Sequence, residues 1–164
     1  MSSGKSLFKQ TLIYGIATVL PRMLSFFLVR LYTDYMPTNE YGKVSIIFSF
    51  MVFFNVVLSY GMETAFFRFY SKEDDKRKVI STSTISLFWS TIGFLILFLL
   101  FRKDLALWSK INVEYIVFTI WILALDALAI IPFSKIRAEG RPIKYAVIKI
   151  SNVVINLSLN IFFL

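Results

Sequence analysis

Cysteine and histidine are both absent from the 164 residues. Without cysteine there is no thiol catalysis and no disulfide, an exclusion that says nothing about compartment. Without histidine the commonest general base and metal ligand is missing. Charge is scarce as well, at 17%, against 57% hydrophobic residues. A soluble domain of this length keeps more polar surface than that to stay dissolved. Several stretches exceed the roughly 18 apolar residues that mark a membrane-spanning helix. The chain therefore reads as an integral membrane protein.

Five spans can be drawn, near 11–31, 44–67, 79–101, 115–133 and 143–164. Together they predict an all-α polytopic bundle forming a single transmembrane domain over 1–164. The connections carry turn signals: "DYMPTNEYGK" holds Pro37, Asn39 and Gly42, "YSKEDDKRK" is a charge run, and "AEGRP" pairs Gly140 with Pro142 as helix stop and restart. Linkers, low-complexity segments and internal repeats do not stand out. Lys5 and Lys9 precede an apolar run too long for a cleavable signal peptide, so the first span is expected to remain as an anchor. The chain stops at "NLSLNIFFL", at the outer end of the fifth span, which reads as part of a larger protein.

The net charge of +8 would suggest nucleic acid in a soluble chain. Its distribution points to orientation instead. Lys5, Lys9, Arg68, Lys72, Lys76, Arg77, Lys78, Lys135, Arg137, Arg141, Lys144 and Lys149 fall on one set of alternate ends. The other set offers only Lys43, Arg102, Lys103 and Lys110. The positive-inside rule then puts the N-terminus in the cytoplasm, with no nucleic-acid partner. Tyr32, Tyr35, Tyr41, Tyr70, Trp108, Tyr115 and Tyr145, near helix ends, fit interfacial belts.

Polar residues within the spans need a reason, because a charge at mid-bilayer costs about 2.5–3.5 kcal/mol even on the lenient scale. Arg22 lies near the centre of the first span, directly behind Pro21. At about 100° per residue, Thr11, Tyr14, Thr18, Arg22 and Ser25 fall within an arc of roughly 80°, so one side of this helix is polar. Arg22 fits a structural ion pair, an anion site in a water-filled cavity, or snorkelling. Arg30, nearer the outer end and off the stripe, snorkels by default. Pro21 frees a backbone carbonyl and can bend the helix there.

Asp126 lies nine residues from Lys135 and twelve from Glu114, deep in the bilayer. It can pair with Arg22, serve a proton or coupling ion, or be protonated. The fifth span carries Tyr145, Lys149, Asn152, Asn156 and Asn160 at spacings of four, three, four and four, a stripe on one helix face. Asparagines bonded between helices and asparagines lining a hydrophilic path give the same pattern. Glu63, with Arg68 just beyond, suggests interfacial salt-bridging or capping. The run "KEDDKRK" reads as a solvated loop, and its Asp74–Asp75 pair is a weak sign of metal-dependent glycosyl transfer.

Three blocks resemble a known family: "TLIYGIATVLPRMLSFFLVRLYTDYMPTNEYG", "SYGMETAFFRFYSKEDDK" and "LDALAIIPFSKIRAEGRPIKYAVIKISNVVINLSLNIFF". They are similar to the N-terminal portion of Wzx-type oligosaccharide flippases, polysaccharide biosynthesis proteins of the multidrug/oligosaccharidyl-lipid/polysaccharide exporter superfamily. The resemblance weakens across the third span and the loop after it. It implies a non-enzymatic transporter without cofactor, in the bacterial cytoplasmic membrane. Such a protein moves lipid-diphosphate-linked oligosaccharide by alternating access between two lobes, for surface polysaccharide or lipopolysaccharide synthesis. This chain then supplies most of the first lobe, and its expected partners are membrane lipids, a second lobe or other assembly proteins, and a proton or sodium ion. The resemblance suits Arg22 and Lys149 as the cations for a diphosphate, and the polar stripes add Tyr14, Thr18, Asn152 and Asn156 as cavity residues, with Asp126 as coupling site or structural pair. The competing classes are a membrane enzyme, for which only Asp74–Asp75 speaks, and a small structural membrane protein without transport activity of its own.

Overall fold

The computed structural model describes residues 2–163. Within them the side chains of residues 2–7, 9, 10, 22, 24, 25, 27 and 163 lie outside the described set, and with them the expectations placed on Lys5, Lys9, Arg22 and Ser25. Seven helices follow one another: α1 (Ser2–Tyr35), α2 (Thr38–Ser59), α3 (Met62–Lys72), α4 (Lys76–Leu100), α5 (Arg102–Ser109), α6 (Val113–Ala138) and α7 (Pro142–Phe163). The protein is an all-α polytopic membrane bundle. Among the described residues four helical stretches are long and apolar enough to cross a membrane: Thr38–Lys72, Lys76–Leu100, Val113–Ala138 and Pro142–Phe162. In α1 the described apolar stretch is Thr11–Pro21. At 1.5 Å per residue, α4, α6 and α7 reach about 33–39 Å, enough for a hydrocarbon core of about 30 Å.

Helix ends follow from local chemistry. Pro37 precedes α2, and its carbonyl accepts from the Glu40 and Tyr41 amides at 2.9 and 3.1 Å. The run expected as a ten-residue connection is therefore mostly helix. The second expected span is broken where Tyr60 and Gly61 both take positive φ (32° and 73°). Asp75 caps α4 by accepting from the Lys78 amide at 3.1 Å. Lys76 sits over the Tyr70 ring and donates to the carbonyls of Tyr70 and Glu73, which folds the charge run onto α3. Gly140 (φ 65°) ends the α6 segment and Pro142 opens α7, where its missing N–H costs nothing.

The chain divides into two compact units, Gly42–Ala138 and the pair Met1–Tyr41 with Glu139–Leu164. In the first, α4 and α6 run antiparallel and pack along their lengths, with α3 against both and α5 against α6. Val79, Ser83, Leu87, Thr91 and Phe94 form the buried face of α4, at spacings of four, four, four and three. Ile120, Leu123, Ala124, Ala127, Ile131 and Ser134 form that of α6. Small residues on both faces let the backbones approach, the usual device where lipid offers no hydrophobic drive. Phe66, fully buried, seats α3 against Val79, Leu87 and Ile131. The Arg137 guanidinium pairs with Glu63 and lies 5.0 Å from the Phe67 ring centroid, tying α3 to the end of α6. In the second unit α1 lies along α7.

Candidate functional site

The first and fifth spans lie together in the α1–α7 unit, and of the α1 stripe Tyr14 touches the stripe of α7. α1 and α7 run parallel: Tyr14 touches Tyr145 near the start of α7, and Tyr32 touches Asn160 near its end. The two Tyr14–Tyr145 rings are edge to face, with centroids 5.4 Å apart at 64°. Tyr145, three residues into α7, is buried in this contact. The Tyr32 hydroxyl donates to Asn160 Oδ1, and Asn160 Nδ2 donates to the carbonyl and Oδ1 of Asn156 at 2.8 and 2.7 Å. Asn160 thereby fulfils the inter-helix reading of the α7 stripe.

Asn152, and Asn156 beyond the bond it accepts from Asn160, border a different feature. Both are exposed and share one wall with Ser151, Val147, Ile148, Ile155 and Leu159, around a concavity of about 590 Å³ whose described lining comes from α7 alone. Two carboxamides and a hydroxyl on an aliphatic surface offer uncharged donors and acceptors, a chemistry suited to hydroxyl-rich ligands. Ser151 joins the wall without belonging to the stripe, and its place next to Asn152 in α7 is the sequence signal for it. Lys149 is half-buried on α7, between Tyr145 and Asn152 in sequence and outside the described lining of this wall.

On α1, Thr18 is exposed, and its hydroxyl donates to the Tyr14 carbonyl at 2.7 Å, keeping its lone pairs for a further partner. The helix continues without interruption through Pro21. Pro21 supplies no N–H to the carbonyl four residues back, that of Ala17. Arg22, on the next position, lies outside the described residues as a side chain. Arg30 reaches Asp34 one turn on, at 4.0 Å, with both side chains largely exposed.

Asp126 belongs to the other unit. It is exposed on α6, off the face that packs on α4, with exposed Leu125 and Ile122 near it along the helix. Glu63 takes Arg137 as its partner, and Arg68 is exposed. Asp75 serves as a helix cap. Among the described residues no group of three acidic side chains gathers as a metal site.

A profile of the polysaccharide biosynthesis protein family matches residues 7–163. The chain belongs to that family. Its match extends over the third span and the following loop, where the sequence resemblance is weakest. The family is of transporter type, and with four described helical stretches long enough to span a bilayer this member is a multi-pass membrane protein concerned with polysaccharide synthesis. Comparison with curated proteins and with solved structures returns no significant match.

Proposed function

We propose that this polysaccharide biosynthesis protein works as a flippase for lipid-diphosphate-linked oligosaccharide in the bacterial cytoplasmic membrane, moving its cargo by alternating access. What supports the reading is the α7 wall, where Ser151, Asn152 and Asn156 present neutral hydrogen-bonding groups at membrane depth. An intramembrane polar surface is costly unless it serves a path or a partner. Asn160 bonds to Tyr32 and to Asn156, whereas Asn152, and Asn156 with its remaining amide donors, face a concavity. In this reading the asparagines replace water around the sugar hydroxyls. Arg22 and Lys149 hold the diphosphate, because phosphate is best met by fixed cations in a low-dielectric setting. Tyr14 and Thr18 shape the α1 side of the path, and Asp126 couples to a proton or sodium ion or holds a cation in place.

Arg22→Ala in the gene at its natural locus is expected to abolish surface polysaccharide while the protein stays in the membrane at its usual level. Normal polysaccharide from that strain would overturn the diphosphate role. Asn152→Leu with Asn156→Leu is expected to reduce polysaccharide output strongly, since it removes the neutral donors and acceptors without touching the charges.

A further inference from the structure

The unit Gly42–Ala138 holds a second cavity, of about 300 Å³, at the end of the α4–α6 pair where α5 lies. Phe50, Phe53, Phe54, Phe94, Phe98 and Trp108 supply the aromatic part of its wall. Ring packing fixes the aromatics: Phe94 stacks on Phe98 at 4.1 Å, Phe54 meets Phe98 edge-on at 4.8 Å, and Phe50 lies 5.7 Å from Trp108. The wall is thus built before anything enters.

Two hydroxyls line the cavity, and both are already used. Ser109 Oγ donates to the Leu105 carbonyl and Thr119 Oγ1 to the Tyr115 carbonyl, each at 2.7 Å. Water needs two to four polar partners to occupy a buried site, and this wall does not provide them. The volume is also about twice that of an apolar cavity of about 150 Å³ that stays dry and takes up benzene. Left empty, such a void forfeits contacts in proportion to its size. One side is open, with Phe53 (62% exposed) and Trp108 (73% exposed) on the rim. In a bilayer the material at that mouth is hydrocarbon chain.

Charge flanks the α5 lining residues Leu105, Trp108 and Ser109 in sequence. Arg102 and Lys103 open α5, and Lys110 follows Ser109 directly, in the left-handed conformation that caps the helix. Asp104 and Glu114 share this end, so the local excess is small and suits a single phosphate rather than a polyanion. We propose that this cavity is a phospholipid site: one acyl chain fills the aromatic chamber and the headgroup phosphate rests on Arg102, Lys103 and Lys110. The site is independent of the transport reading above, because it uses other residues in the other unit.

The test is native mass spectrometry of the full chain, extracted from vesicles of phosphatidylglycerol and phosphatidylethanolamine and washed in detergent. Wild-type protein should keep one phospholipid. Thr119→Phe, which fills the chamber from α6, should lower retention by about tenfold or more, equivalent to about two lost methylene contacts. Leu125→Phe, on an exposed part of α6, should leave retention unchanged. If Thr119→Phe does not fold, Ile47→Phe fills the chamber from α2 and is read in the same way. Retention by the filled variant equal to wild type, a wild type that keeps no lipid, or a retained species with the mass of a polyprenyl lipid would each overturn the proposal.

Discussion

Thr91 buries its hydroxyl in the α4–α6 seam at 1% exposure, and that oxygen has no hydrogen-bond partner. The usual bond back to the carbonyl one turn earlier is not made there, in contrast to Thr84 and Thr119. An unmade bond of this kind costs about 1–3 kcal/mol. Thr91→Val keeps the branched shape and removes the orphaned group, so it should raise stability by about 1 kcal/mol, read as a higher unfolding midpoint in detergent. A lower midpoint would mean that the hydroxyl is bonded in the working protein, and the packing account of this seam would fall. Ser134 presents the same situation on α6 and should respond to Ala in the same direction. At this scale little was legible beforehand. The sequence shows a threonine in an apolar run, whereas its orphaned state depends on which neighbour sits across the seam.

The long elements were legible because each sums a simple signal over some twenty residues, and no single substitution hides it. The breaks were not. The second span reads as continuous hydrophobicity from Val44 to Phe67, yet the helix stops at Ser59 and restarts at Met62. Gly61 is the one local sign, and the left-handed backbone at Tyr60 has none, since bulky residues seldom adopt positive φ. The short helix α5 escaped notice for the opposite reason: eight residues with three charges look like a loop by composition. What holds the α2–α3 break is the seat of Phe66 and the Glu63–Arg137 pair, both contacts distant in sequence. Gly61→Ala places a Cβ on a left-handed residue, at a cost of about 1–2 kcal/mol. Open space surrounds the site, so the penalty is conformational and not a clash. The variant should lower the unfolding midpoint, and a reversion to wild-type stability on also changing Tyr60 to Gly would locate the strain in this turn. An unchanged midpoint for Gly61→Ala would show that the two helices are held at their angle without it.

Across the whole molecule, the fifth span shows how far periodicity carries and where it stops. The spacing of Tyr145, Lys149, Asn152, Asn156 and Asn160 gave the stripe, but one helix cannot say what faces each of its residues. Asn160 bonds to Tyr32 of α1 and to Asn156, Tyr145 meets Tyr14, and Asn152 with Asn156 borders the concavity. Orientation likewise depends on twelve cations against four and on which helix ends lie together. The Glu63–Arg137 pair brings the end of α6 to α3, so within the Gly42–Ala138 unit the basic residues Lys135 and Arg137 share one end with Arg68 and the charge run after α3. That is the geometry the positive-inside rule requires. Because the chain has no native cysteine, single cysteines report sidedness without background. Asp74→Cys and Asp104→Cys leave every lysine and arginine in place, and both positions are exposed. In spheroplasts, a membrane-impermeant maleimide should label Asp104→Cys and spare Asp74→Cys until the membrane is opened. The opposite pattern would invert the protein, and would move the phospholipid chamber beside α5 from the outer leaflet to the inner one.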